Sequence, residues 1–387
     1  MDKSNASRIS IAFSYDSAYP WHVGGIEKIN MLESSALSKK YDVYFYTLRW
    51  PGMQRNFKKY GVKYDAIFSA SQESLYMHRR RSIRMAILYS LSLFRLFRKK
   101  FDLVVVDAFP YLHLPVVMLY KKLFRVKVAI RVAEVWDYNY WKRYLGNFSG
   151  WIAYFLSRAL IKGADAYIAN TTTTKELLHK LGGIENSKIL VFAPVIEEDA
   201  IKAAKRKSGN CKKAQIIFAG RLIKEKRIDM WLHVAKRVTE SIPRATGIII
   251  GDGPEKDNIE SAIKELGLEN KVRIEKPMPR SRLYREICCS SVLLNTSARE
   301  GLSMITLESM ALGTPVVLPS DSPIPNDIRR LCITAEPDEL HAKILEIIKN
   351  GAPKSQKNTE SLKAFSTSNI IPFYSGLMKK LGIEGDS

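Results

Sequence analysis

The feature that most constrains this chain is an alternation of short Val/Ile-rich strands with amphipathic helical stretches. It runs through the first half, stops, and starts again. The first series predicts strands at 9–13, 41–47, 103–107, 127–132, 166–169 and 189–193. A helix is expected over 25–38, and a threonine run at 171–174 suits the capping of another. Strand followed by helix, repeated, implies a parallel sheet. Residues 197–213 are polar and charged without an apolar period, which reads as an interdomain linker. The second series predicts strands at 215–219, 246–250, 272–275, 292–295 and 315–318. Its helices fall at 228–240, 255–266, 281–290 and 303–312, with closing helices near 340–349 and 370–381. The expected fold is α/β: two tandem doubly wound, Rossmann-like domains, 1–196 and 214–365, facing a cleft. Ligands of open sheets sit at the carboxyl ends of the strands, so that cleft is the expected site.

At 387 residues and 46% hydrophobic side chains the chain can bury two sizeable cores. Its first residues run from a polar start straight into a strand, without the apolar stretch of a secretory signal, so a cytoplasmic location is expected. The four cysteines (Cys211, Cys288, Cys289, Cys332) lack the paired spacing of a zinc site, and two are adjacent. They are expected to be free thiols, mostly in the core. A net charge of +22 fits nucleic acid, an anionic membrane or phosphorylated small molecules. Residues 77–100 carry eight Lys or Arg and no acid around an apolar centre at 85–94. That centre is too short to cross a bilayer, for which about 20 apolar residues are needed. A basic amphipathic segment of this length is expected in the headgroup plane of an anionic membrane, the alternative being a solvated helix whose Leu and Phe face the core.

The segment 295–317, NTSAREGLSMITLESMALGTPVV, carries the most chemistry. A strand ends, a loop holds Glu300, Gly301 and Leu302, and a helix opens near Ser303. Free N–H groups and the positive dipole end of a helix favour a diphosphate there, and Gly301 allows close approach. Glu300 and Glu308 flank that point. Eight helical positions span about 12 Å, too far for an acid/base pair but suited to two carboxylates that accept hydroxyl hydrogen bonds. In the first strand-to-helix turn of the same domain, FAGRLIKEKRID sets Gly220, Arg221 and Lys226 towards the phosphate site. A fixed guanidinium and ammonium lower the barrier to departure of a diphosphate by preorganised charge. No DxD pair occurs in the chain, so no metal is expected, and no other cofactor.

EGLSMITLE, GRLIKEK and IIIGDGPEKDNIE together resemble the retaining glycosyltransferases of family 4, whose architecture is GT-B, and GGIEKINMLESSALSKKYDVYFYT at 24–47 is similar to that family's glycine-rich first loop. The resemblance implies that Glu300 holds a donor sugar, Glu308 the ribose, and Arg221 and Lys226 the diphosphate, with Gly24 and Gly25 facing the sugar-phosphate from the first domain. It also implies that a C-terminal helix within 366–387 packs back on the first domain. Many members place a histidine at a strand end of the first domain. Here Ala133 or Glu134 stands in that region, Glu134 orienting the acceptor or donor or serving the structure. The implied reaction is retaining hexosyl transfer from a UDP- or GDP-type sugar, and the cationic segment at 77–100 favours a lipid-linked or glycan acceptor at the cytoplasmic membrane face. A non-catalytic or phosphorylase-type protein on the same architecture is the alternative. Nucleic-acid binding is disfavoured, because RNP, zinc-finger and P-loop patterns are missing and paired glutamates repel a phosphate backbone.

Overall fold

A computed structural model describes residues 8–71, 76–77, 80–208, 214–300, 302–351 and 359–383. It comprises two compact units, Met1–Val195 with Thr367–Ser387, and Ile196–Ser366.

The first unit holds β1 Ser10–Ser14, β2 Asp42–Arg49, β3 Asn56–Lys59, β4 Val62–Ser69, the small hairpin β5 Tyr76–Met77 and β6 Arg80–Arg81, then β7 Leu103–Asp107, β8 Lys127–Val132, β9 Ala166–Ala169 and β10 Ile189–Val191. Eight of these form one sheet, in the order β10-β9-β8-β7-β1-β2-β4-β3. All its pairings are parallel except β3 with β4. Every residue of β1 and β7 is buried, as a parallel sheet covered on both faces requires. The helices are α1 Gly25–Leu37, α2 Ile83–Ser92 with a 3-10 stretch Leu93–Arg98, α3 Leu114–Phe124, α4 Tyr138–Leu145, α5 Asn147–Leu160 and α6 Thr172–Lys180. Thr171 caps α6, its hydroxyl accepting the Thr174 N–H at 3.0 Å. From β1 the chain steps one way across the sheet to β2, and from β7 the other way to β8. Right-handed crossovers therefore put α1 and α3 on opposite faces.

The second unit opens with α7 Glu198–Ser208 and continues β11 Gln215–Ala219, α8 Ile228–Ser241, β12 Thr246–Ile250, α9 Lys256–Glu265, β13 Val272–Glu275, α10 Arg280–Cys289, β14 Val292–Leu294, α11 Met304–Leu312, β15 Val316–Pro319, α12 Asn326–Arg329, β16 Ile333–Ala335 and α13 Leu340–Asn350. Its six strands are all parallel, ordered β13-β12-β11-β14-β15-β16. The expected linker at 197–213 is corrected over its first part. α7 is a helix packed on α10 and α11, burying Ile201 and Ala204. Two apolar residues three apart make a stripe too thin to read as a period. The cysteine expectation is corrected too: Cys289 is disulfide-bonded, while Cys288 and Cys332 are free. Cys288 is free, so the bond of Cys289 is not to its neighbour. Cys211 lies outside the described residues.

The chain ends in the first unit as α14 Ile370–Lys380, which packs on α1. Its Tyr374 hydroxyl donates to Glu33 of α1 at 2.5 Å. Glu33 meets the buried Arg131 of β8 at 3.2 Å, and Arg131 lies 3.1 Å from Asp107, its register partner on β7. Burial pushes the Asp107 carboxyl up to about 6, with Arg131 pulling the other way.

Candidate active site

In the second unit, β11 and β14 are neighbours, and the loops leaving their carboxyl ends carry most of the predicted residues. Gly220 follows β11. A methyl group at Gly251, after β12, would fall 1.9 Å from the Gly220 carbonyl oxygen, so a glycine there is what lets the two turns meet. Arg221 is exposed beside Gly220, and Lys226 ends the short 3-10 turn that follows. The Lys226 ammonium forms an ion pair with Glu300, whose carboxylate also accepts the Ser297 hydroxyl at 3.0 Å. Hydrogen bonds to backbone carbonyls stitch the loops together. Ala298 N–H donates to the Glu225 carbonyl at 2.7 Å, and Thr296 hydroxyl to the Lys226 carbonyl at 2.7 Å. Arg227 donates to the Thr296 carbonyl at 2.6 Å and makes a bidentate pair with Asp321 at 2.6 and 2.9 Å, which holds that carboxylate below its usual range.

Ser303 is the N-cap residue of α11, with a left-handed φ of 61°, and its hydroxyl accepts from Asn295 at 3.0 Å. Leu302 is buried beside it. First-turn N–H groups of a helix have no intrahelical acceptor, so this end of α11 favours an anion. Gly301 lies outside the described residues. Glu300 stands in the loop before α11 rather than on the helix, so the expected helical span from Glu300 to Glu308 is corrected; the helical turn needs Met304 as its first residue. Glu308, in the second turn, is buried. Arg280 and Tyr284, one turn apart on α10, both reach it, the tyrosine hydroxyl at 2.9 Å and the guanidinium as an ion pair. Sequence reasoning missed these two. Their i, i+4 spacing was legible as a helix pair, but its target 24 residues on was not.

In the first unit, Gly24 is the N-cap residue of α1 and Gly25 its first residue, directly after the loop leaving β1. Beneath that turn lies Glu27, buried, accepting the Ser17 hydroxyl at 2.6 Å and 2.6 Å from the His22 ring nitrogen. Burial alone would raise the Glu27 pKa; the His22 and Ser17 contacts outweigh it and hold the carboxyl below the ordinary range. Glu134 lies just past β8 and accepts the Trp136 indole N–H at 2.9 Å. Over 77–100, one side of α2 and its following turn is core (Met85, Tyr89, Leu93, Leu96) and the other exposes Ile83, Ile87, Leu91 and Phe94. Residues 78–79 lie outside the described residues.

Two family models divide the chain between them: Glycosyltransferase Family 4 over residues 23–199, and Glycosyl transferases group 1 over residues 200–364. The chain belongs to glycosyltransferase family 4. Among curated relatives, the D-inositol 3-phosphate glycosyltransferase of Kribbella flavida is 29% identical over 174 residues, 41% of each chain. The family 4 chain thus spans about two fifths of the length of the curated relatives it matches. Sucrose-phosphate synthase from Thermosynechococcus elongatus is 14% identical with a TM-score of 0.76, covering 97% of this chain and 99% of its own. The Anabaena protein HepE, solved with UDP and glucose, is 14% identical with a TM-score of 0.69, covering 96% and 99%. The fold of this family 4 member is therefore the two-domain GT-B fold.

Proposed function

We propose that this chain is a retaining, metal-independent glycosyltransferase that takes a hexosyl group from a nucleoside diphosphate sugar. The observation that carries the reading is the pairing of Lys226 with Glu300 across two adjacent strand ends, next to Gly220, Arg221 and the start of α11. In this reading Arg221, Lys226 and the α11 N-terminus take the diphosphate, and Glu300 accepts hydroxyl hydrogen bonds from the sugar. Glu308 accepts those of the ribose. As the glycosidic bond breaks, charge gathers on the departing phosphate, where fixed cations are worth most; loss of one such donor costs about 10²–10³ in turnover. The same phosphate oxygen accepts the acceptor's proton, and attack from that face retains configuration. Gly24 and Gly25 face the sugar-phosphate, and Glu134 the acceptor or sugar. A UDP-type donor draws support from HepE, solved with UDP and glucose.

The acceptor is proposed to be lipid-linked, with the protein peripheral on the cytoplasmic face of a membrane. Support comes from the exposed Ile83, Ile87, Leu91 and Phe94 beside Arg84 and Arg98. A second reading, a scaffold that binds donor without turnover, is favoured by the Glu134–Trp136 bond, which engages the carboxylate standing near the family's histidine position. Calorimetric titration of UDP, GDP and ADP, with and without EDTA, tests the donor site. One nucleotide should bind regardless of EDTA, and Arg221→Ala should weaken it at least tenfold, about 1.4 kcal/mol. Equal binding by the variant sinks the assignment of Arg221.

A further inference from the structure

Eleven of the fifteen large hydrophobic side chains that stand exposed among the described residues come from α2 with its following turn, α3 and α5 of the first unit. α5 carries the most. Phe148 is 75% exposed, Trp151 51%, Ile152 42%, Phe155 52% and Leu156 41%. Their spacing of three and four residues makes one continuous helical face. The residues α5 buries are Gly150 and Ser157. A methyl group at Gly150 would lie 2.6 Å from the Trp141 carbonyl oxygen, so α5 packs closely on α4 at that point. Ala153, Tyr154 and Leu160 are partly buried against the core, so the five exposed side chains form a second apolar face with nothing of this unit over it among the described residues, and a patch of that kind marks an interaction surface.

Continued past the helix end, the same face reaches Lys162. With Lys121, Lys122, Arg125 and Lys127 this residue lines a pocket of about 590 Å³ at the C-terminal end of α3. Asp165, the acidic residue among its lining, pairs with Lys121 at 3.0 Å, so the pocket stays cationic. Leu119 and Leu123 stand exposed on the last turns of α3. We propose that α5 lies in the plane of an anionic phospholipid bilayer at the headgroup–acyl boundary, with lipid phosphate groups held in this basic pocket. Fourteen residues at 1.5 Å rise give about 21 Å, and half the helix surface is polar or small, which suits lying on a bilayer rather than crossing it. The inference rests on the proposed membrane location, but on residues outside the segment that suggested it.

The test is co-sedimentation at low salt with vesicles of phosphatidylcholine alone or mixed equally with phosphatidylglycerol. The wild type should partition onto the mixed vesicles. The F148S/W151S/F155S variant should lose at least tenfold in partition with an unchanged thermal melt, its substituted residues being exposed. K122A/R125A/K162A should lose the preference for phosphatidylglycerol, and brominated acyl chains should quench a Trp emission that W151F lacks. A wild type that ignores both vesicles overturns the membrane location and this inference together. If L91S/F94S abolishes partition while F148S/W151S/F155S matches the wild type, the location stands and the role of α5 falls. A wild-type dimer that the α5 variant dissociates, with vesicle binding intact, also overturns the proposal by assigning the face to a second copy.

Discussion

Glu308 is 2% exposed, and a carboxyl group that deep is costly to bury without polar partners against it. Arg280 and Tyr284 are those partners, so they are positioning residues for the proposed ribose contact. Arg280→Ala should weaken nucleoside diphosphate binding at least tenfold by calorimetry, with Arg280→Lys partly restoring it; unchanged affinity would leave Arg280 a surface charge. Glu27 plays the corresponding part under the Gly24 turn. Its carboxyl is held below the usual range, so it contributes stability present above the unfolded value of about 4.3 and lost as pH falls through the folded value. Urea titrations between pH 3 and 6 should show the wild type losing stability on the acid side where Glu27→Gln loses less. Identical slopes would remove Glu27 from that balance. Glu300, Glu308, Arg221 and Lys226 could be named as candidates from the sequence because their motifs are contiguous. Arg280, Tyr284, Ser17 and His22 were not, since each acts on a residue brought near by packing rather than by chain spacing.

At the level of elements, β11 to β15 and helices α8 to α11 and α13 of the second unit were read nearly to their ends, because apolar runs of a fully buried parallel sheet are continuous and helix periods between them are clear, while the short β16 and α12 were not read. Two of the unread stretches have a physical reason. α7 hides in a charged segment because its buried stripe is Ile201 and Ala204, with Glu, Lys and Arg around them. α5 is apolar on the side away from its packing, so the core-facing rule that reveals other helices points the wrong way there. Ile201→Ser discriminates an integral α7 from a tether. Loss of a buried Ile side chain should cost about 2–3 kcal/mol in urea unfolding, whereas a linker position would move stability by less than about 0.5 kcal/mol.

Across the whole molecule, alternation read from the sequence led to two parallel sheets, and the chain does build them, the first closed by its own last helix, which returns after the second is complete. What alternation could not supply is the tie that holds that helix. Tyr374 reaches a buried Glu33–Arg131–Asp107 chain whose members lie far apart in sequence. The residues proposed to hold the diphosphate, Arg221 and Lys226, and the proposed sugar contact Glu300 stand in the second unit on loops that leave adjacent strands, so the proposed chemistry can be tried directly. The measurement is free nucleoside diphosphate released from UDP, GDP and ADP sugars, with lipid extract present or absent and EDTA in parallel. Release from one donor that depends on lipid, survives EDTA and falls by about 10²-fold or more in Glu300→Ala is the predicted result. No release from any donor by a wild type that binds a nucleoside diphosphate, or release undiminished in Glu300→Ala, would contradict it.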